Sequence, residues 1–268
     1  MLLCLDVGNS QIFGGVYDDD ELKVTFRRTS GVRASSDEYG TFFRAVLREN
    51  DIDPQAIDLA AICSVVPDVL HSLRNCFVKY FGFEPFVLQP GVRTGLKIRY
   101  RNPSEVGADK IANAVGAIAR YHGRNLLIVD FGTATTVCAV TADKEYLGGI
   151  ITPGVYISMA ALESNTARLP AVEIVKPPDV LGRSTVESIQ SGLFYGTLAT
   201  VRSLAELVTS AHFSGRKPVV VGTGGFGRLF EAEHLFDAFV PELALIGLRR
   251  AVELSREPGS RASGVSGA

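Results

Sequence analysis

Apolar positions along this chain change their period several times, and each change predicts an element. Leu2-Leu3-Cys4-Leu5 runs into Asp6, and strand-like patterns resume over residues 12–17 and 22–28 with short polar turns between. These segments predict three strands in an antiparallel meander. The period then lengthens. Tyr39, Phe42, Phe43, Val46 and Leu47 recur at helical spacing, and Ser35 with Glu38 three residues later supplies a capping-box start. Residues 59–65 predict a continuous buried strand, Leu70, Leu73, Phe77 and Tyr80 another helix, and residues 86–88 a short strand. A Gly/Pro-punctuated loop is expected over 89–107, then a helix carrying Ile111, Ala114, Val115, Ile118 and Ala119 that ends near Gly123.

From residue 126 the pattern starts again. Leu126-Leu127-Ile128-Val129-Asp130-Phe131-Gly132-Thr133-Ala134 nearly repeats Leu2-Leu3-Cys4-Leu5-Asp6-Val7-Gly8-Asn9-Ser10. Strands are expected at 126–129, 135–140 and, briefly, 145–149, with helices near 158–163, 185–197 and 198–208. A final strand at 219–221 enters Gly222-Thr223-Gly224-Gly225-Phe226-Gly227, and Pro241 suits the start of a last helix. Meanders alternating with helices in two related halves predict an α/β protein with mixed sheets, its domains 1–120 and 121–255 set around a central cleft. The Gly/Ser/Arg-rich end, 256–268, is expected to be disordered.

Composition narrows the partners. Apolar residues make up 46% and charged residues 21% of the 268, enough core for a soluble globular protein. A net charge of −2 gives no general attraction to nucleic acid or an anionic membrane, and neither is expected as a partner. The basic run from Arg93 to Arg101 fits an exposed strand rim as well as nucleic acid or a small anionic substrate. Residues 59–66 are too few to span a bilayer, and the start of the chain lacks the pattern of a secretion signal. Cys4, Cys63, Cys76 and Cys138 lie in apolar segments without a C-x-x-C pair, so reduced core thiols in a cytoplasmic protein are expected.

Asp6 and Asp130 each end an apolar strand at a glycine turn, where the missing Cβ lets peptide N–H groups approach phosphate oxygens. Asn9, Ser10 and Thr133 add side-chain donors. An acid beside phosphate is repulsive unless a cation bridges them, so a metal ion is implied. An Asp-x-Gly turn can also close a hairpin and do nothing more. Its repetition in matching strand contexts favours the phosphate reading. The loop from Gly222 to Gly227 is no Walker A sequence and meets the dinucleotide fingerprint only in part, yet its bare backbone suits contact with adenosine. Asp109, ahead of the strongest helical stripe, either complements a helix dipole or serves as general base toward a substrate hydroxyl. Ser184 and Glu187 make a capping-box pair, with Thr185 able to donate to a substrate from the same turn. His71, His122, His212 and His234 form neither a ligand pair nor a triad.

Six blocks in one order resemble the type III pantothenate kinases of the bacterial coenzyme A pathway. They are Asp6-Val7-Gly8-Asn9-Ser10, Pro90 to Gly95, Asn102-Pro103, Glu105 to Asp109, Asp130 to Thr136 and Gly148 to Gly154, and the likeness spans residues 2–254. The resemblance implies two related actin-like (ribonuclease H-like) domains, a homodimer, ATP with Mg2+ as phosphoryl donor, and a monovalent cation, K+ or NH4+. Carried over by position, Asp6, Val7, Gly8, Asn9, Ser10, Gln11, Ile12 and Phe13 would line the ATP phosphates together with Thr133. Asp130 would hold the monovalent cation. Tyr100, Gly107, Ala108, Asp109 and Lys110 would bind pantothenate, Asp109 as proton acceptor, and Thr185 would complete that site close to the dimer interface. The implied reaction phosphorylates pantothenate to 4′-phosphopantothenate. Two departures stand out: the family usually has Arg where this chain has Lys110, which lacks a bidentate grip, and Gln11-Ile12 is less typical. The rival readings are another small-molecule kinase on the same fold and a non-catalytic regulatory relative. The latter should lack one of Asp109, Asp130 or Thr133, and all three are present.

Overall fold

Both apolar runs that precede an Asp-x-Gly turn become inner strands of a sheet in the computed structural model, which describes residues 1–30, 34–166 and 168–256. The tail expected to be disordered lies, from residue 257 on, outside the described residues. The first sheet contains β1 (Leu2–Val7), β2 (Gln11–Asp18), β3 (Glu21–Thr29), β4 (Leu59–Ser64) and β5 (Phe86–Val87), in the order β3-β2-β1-β4-β5. The second contains β6 (Lys97–Ile98), β7 (Leu126–Phe131), β8 (Ala134–Val140), β9 (Glu145–Pro153), β10 (Val219–Thr223) and β11 (Ala238–Phe239), in the order β11-β10-β7-β8-β9-β6. Apart from β6 the two orders are the same. An antiparallel meander (β1-β2-β3, β7-β8-β9) gains a parallel strand beside its first member, β4 next to β1 and β10 next to β7.

Six helices fill the layers: α1 (Ser36–Glu49), α2 (Pro67–Phe81), α3 (Ala108–Arg120), α4 (Val155–Asn165), α5 (Thr185–His212) and α6 (Leu243–Arg256). Strand alternation sends Leu3, Leu5 and Val7 outward onto Phe43, Leu73 and Phe77 of α1 and α2. Cys4 and Cys63 face inward, into a layer shared with α3, α6 and Ile128 and Cys138 of the second sheet. On the far side Leu127, Val129 and Phe131 pack against Leu193, Phe194 and Leu198 of α5. So α3 and α6 lie between the sheets. Among the described residues, no helix is long and apolar enough to cross a membrane.

Local signals held where the chemistry is local. Ser35 Oγ accepts from Glu38 N at 3.2 Å and Glu38 Oε2 accepts from Ser35 N at 2.8 Å, a complete capping box on α1. The expected pair of helices at 185–197 and 198–208 is one 28-residue helix, because Ile189, Leu193, Phe194, Leu198 and Val201 form an unbroken buried stripe. β9 does not stop at Gly149. It runs to Pro153 because β8 offers a full ladder from Ala134↔Pro153 to Val140↔Tyr146, with an irregularity at Ala139/Val140 opposite Gly148, whose φ is +146°. Within the expected loop, β6 pairs Lys97 and Ile98 with Glu145 and Tyr146. Beyond β10 the chain makes a 3-10 turn (Gly227–Glu233), and β11 pairs with β10 as a further strand.

Candidate active site

The β1–β2 turn is closed by Gly8 N donating to Gln11 O at 3.0 Å. Ser30, just past β3, braces it from the side: its Oγ donates to Gly8 O at 2.6 Å and its N to Ser10 O at 3.0 Å. Val7 and Ile12 bury their side chains in the outer core, which leaves their backbone to the turn, while Asn9, Ser10 and Gln11 are exposed. Phe13 sits on the inner face opposite Asp6, under the Arg27 guanidinium at 4.2 Å from the ring centroid. At the matching β7–β8 turn, Gly132 N donates to Ala134 O at 3.2 Å and Thr133 is exposed. The two turns touch. Ser10 Oγ and Thr133 Oγ1, one from each half, share a 3.0 Å hydrogen bond.

Behind that junction three carboxylates converge. Burial pushes the Asp6 carboxyl up to about 7, against a hydrogen bond from Cys63 Sγ at 3.3 Å and with the help of the Asp109 and Asp130 charges. Asp130 is pushed up to about 6, first by burial and then by the charge of Asp109. Lys110 and a 3.0 Å hydrogen bond from Asn113 Nδ2 to Asp130 Oδ2 oppose that rise. Gly224, with φ +90°, runs behind Asp130, where an added Cβ would meet Asp130 Oδ1 at 2.4 Å and Phe131 N at 2.6 Å. The glycine loop therefore buttresses the second carboxylate.

Asp109 stands in the first turn of α3, after Gly107 as N-cap. Its Oδ2 accepts from Lys110 Nζ at 3.1 Å, and its Oδ1 is buried with no partner. Burial disfavours the Lys110 ammonium, yet the charge and hydrogen bond of Asp109 outweigh that and hold the amine above its ordinary value. Tyr100, half-exposed at the rim, lies 6.4 Å ring to ring from Tyr146, whose hydroxyl donates to Cys138 Sγ at 3.2 Å and senses the Asp109 charge. Thr185 is exposed at the start of α5, in the outer layer rather than beside α3. There the expected capping box is half made: Ser184 Oγ takes Glu187 N at 3.2 Å, but Glu187 Oε2 takes Arg183 N at 2.7 Å. Two cavities, about 240 and 360 Å³, flank α5 and share no residue with the aspartate group.

Nothing in the sequence marks the Asn113 and Cys63 contacts, and Gly224 stands out there only as part of a loop suited to adenosine, not as the backbone behind Asp130. Asn113 lies on the face of α3 opposite the Ile111, Ala114, Val115 and Ile118 stripe, so periodicity assigns it to solvent and its burial comes only from docking between the sheets. The other two gain their contacts only when distant strands pair.

The model of the type III pantothenate kinase family matches residues 2–207. Type III pantothenate kinases of Legionella pneumophila (strain Corby) and Elusimicrobium minutum (strain Pei191) are 53% and 47% identical to this chain, covering 95% and 96% of it and 99% of each relative. Among solved structures, the activator of the 2-hydroxyisocaproyl-CoA dehydratase from Clostridium difficile, with bound ADPNP, superposes with a TM-score of 0.51 at 12% identity over 94% of this chain and 95% of that one. A Sinorhizobium meliloti chain assigned as a 2-dehydro-3-deoxygalactonokinase gives 0.53 at 11% identity over 98% and 99%. At such identities the structures speak to the fold alone, that of actin-like ATPases and sugar kinases. With the family match covering most of the chain and relatives about half identical along nearly all of it, the chain belongs to the type III pantothenate kinase family.

Proposed function

We propose that this chain transfers the γ-phosphoryl group of ATP to the primary hydroxyl of pantothenate, giving 4′-phosphopantothenate and ADP, the first step of coenzyme A biosynthesis. The observation that carries this reading is the contact between Ser10 and Thr133, which joins the two Asp-x-Gly turns directly in front of Asp6, Asp130 and Asp109. The turn backbone from Asp6 to Phe13, with Ser10 and Thr133, donates to the phosphate chain. Gly107, Ala108, Lys110 and Tyr100 hold pantothenate, with the Lys110 ammonium facing its carboxylate. Asp109 Oδ1 takes the hydroxyl proton as the alcohol oxygen bonds to phosphorus and the bond to ADP breaks. Positioning does most of the work, because a loose phosphoryl-transfer transition state needs an oriented alcohol more than a fully formed alkoxide.

The unpartnered, buried acceptors Asp109 Oδ1 and Asn113 Oδ1 fit a cation. Asp130 would hold K+ or NH4+ and Mg2+ would travel with ATP, the ions neutralising phosphate charge. Exposed Ile151, Tyr156, Ile157, Val180, Leu181 and Val186 support a homodimer formed through β9, α4 and the start of α5, which brings Thr185 to the partner's pantothenate site. Buried, unpaired thiols at all four cysteines support a reducing, cytoplasmic setting.

Purified protein with ATP, Mg2+, KCl and pantothenate should release ADP in proportion to pantothenate consumed. ADP release that ignores pantothenate, or that follows a sugar acid better across a panel at equal concentration, defeats the assignment.

A further inference from the structure

We propose that Asn113 is a second ligand of the monovalent cation and the group that fixes Asp130 toward it. The inference rests on Asp130 holding that cation, as read above. Asn113 lies one helical turn beyond Asp109 on α3, so both side chains leave the same face of the helix. It is 5% exposed, between Ala112 and Ala114, in the layer between the sheets. Asn is a poor helix former, and an apolar residue would fill such a place without leaving polar atoms to satisfy. Something must use its amide.

One end has a clear role. Asn113 Nδ2 donates to Asp130 Oδ2 at 3.0 Å, and an ionised carboxylate only accepts, so this bond sets which end of the amide faces Asp130. Asn113 Oδ1 is therefore the free end. It is buried and has no donor, like Asp109 Oδ1 one turn away. Folded proteins rarely leave such acceptors unpaired. The surroundings are acceptors too. Asp6 feels the charges of Asp109 and Asp130, Asp130 feels that of Asp109, and the neighbouring ammonium of Lys110 is engaged by Asp109 Oδ2 at 3.1 Å. A neutral amide oxygen beside a carboxylate suits a monovalent ion better than Mg2+, which demands near-ideal octahedral geometry and keeps its water.

The test titrates KCl at constant ionic strength, balanced with choline chloride, and reads ADP release and, without substrates, the melting temperature. In Asn113→Ala the half-saturating K+ concentration should rise about tenfold to a hundredfold, as for other groups that orient metal ligands. The K+-dependent rise in melting temperature should move to higher salt by the same factor, and saturating K+ should restore much of the turnover. A K+ response unchanged from wild type overturns the proposal. So does a variant that loses turnover at every K+ concentration yet keeps the wild-type thermal response. A wild-type protein without any K+ response overturns the Asp130 reading and this one with it. Wild-type crystals soaked with a thallous salt give an answer even if the variant does not fold. The anomalous peak should touch both Asp130 and Asn113 Oδ1, and a peak on Asp130 away from Asn113 refutes the assignment.

Discussion

Asp109 differs from an ordinary helix-start carboxylate in what it leaves untouched. Its Oδ2 is held by Lys110, and its Oδ1 is buried against Gly107 without a donor, whereas a capping carboxylate takes a backbone N–H. Asp109→Asn keeps the shape and removes the base, so turnover should fall by about 10²–10⁴-fold while the melting temperature stays near wild type. Near-normal turnover would leave Asp109 a purely structural part. The other two carboxylates predict a pH effect on stability. An unfolded Asp ionises near 3.8, whereas Asp6 holds its proton to about 7 and Asp130 to about 6. Between those limits the native state binds more protons than the unfolded chain, so stability from these groups falls as pH rises from about 4 to 7 and levels off above. Thermal melts of the protein without substrates should show this decline, and Asp6→Asn should flatten part of it. A variant with the wild-type slope would mean that Asp6 ionises like an ordinary carboxylate.

The helix that carries Asp109 and Asn113 is placed by a crossing without side chains. A Cβ built on Gly247 of α6 would lie 1.8 Å from Ala112 O, and one on Gly116 of α3 would lie 2.3 Å from Leu243 O. Gly247→Ala therefore pushes α3 and α6 apart. Overpacking of this kind costs about 1–3 kcal/mol, or about 2–4 °C of melting temperature per kcal/mol in a chain of this size. If Ala108, Asp109 and Lys110 of α3 serve pantothenate as proposed, its KM should rise as well. Calorimetry and steady-state kinetics on the same preparation check both, and an unchanged melting temperature would show that the crossing relaxes freely. Neither glycine signals this role in the sequence, because the close approach joins segments far apart in the chain. The same limit explains what else was hidden. β6 exists because Glu145 and Tyr146 present an edge to Lys97 and Ile98, and two residues carry no period. The Asn113–Asp130 bond likewise needs α3 docked on β7. What could be read was local: the Ser35–Glu38 cap, the α3 stripe, and an Asp-x-Gly turn ending each of two apolar strands. Glycines marked the two turns correctly but ended β9 too early at Gly149.

Duplication explains why a small chain can build this site. Two copies of one strand order place an Asp-x-Gly turn at the end of β1 and another at the end of β7, and Ser10 meets Thr133 where they face each other. A single chain leaves Thr185 outside that group, on α5 in the outer layer. The surface near it is unusually apolar. Leu181 is 79% exposed, Ile151 65% and Tyr156 58%, and Val180, Leu181 and Val186 bracket Thr185 in the sequence. Water contact at such a surface is relieved when a second copy covers it. The wild-type protein should therefore sediment as a dimer, and Ile151→Glu with Leu181→Glu should make it a monomer by burying like charges if the faces meet. If Thr185 serves the partner's site, the monomer should keep its affinity for a non-hydrolysable ATP analogue, since both turns belong to one chain. Its KM for pantothenate should rise steeply, and Thr185→Ala in the intact dimer should reproduce that rise without changing the sedimentation coefficient. A wild-type monomer refutes the assembly, and a monomeric variant with full pantothenate turnover shows that one chain completes the site alone.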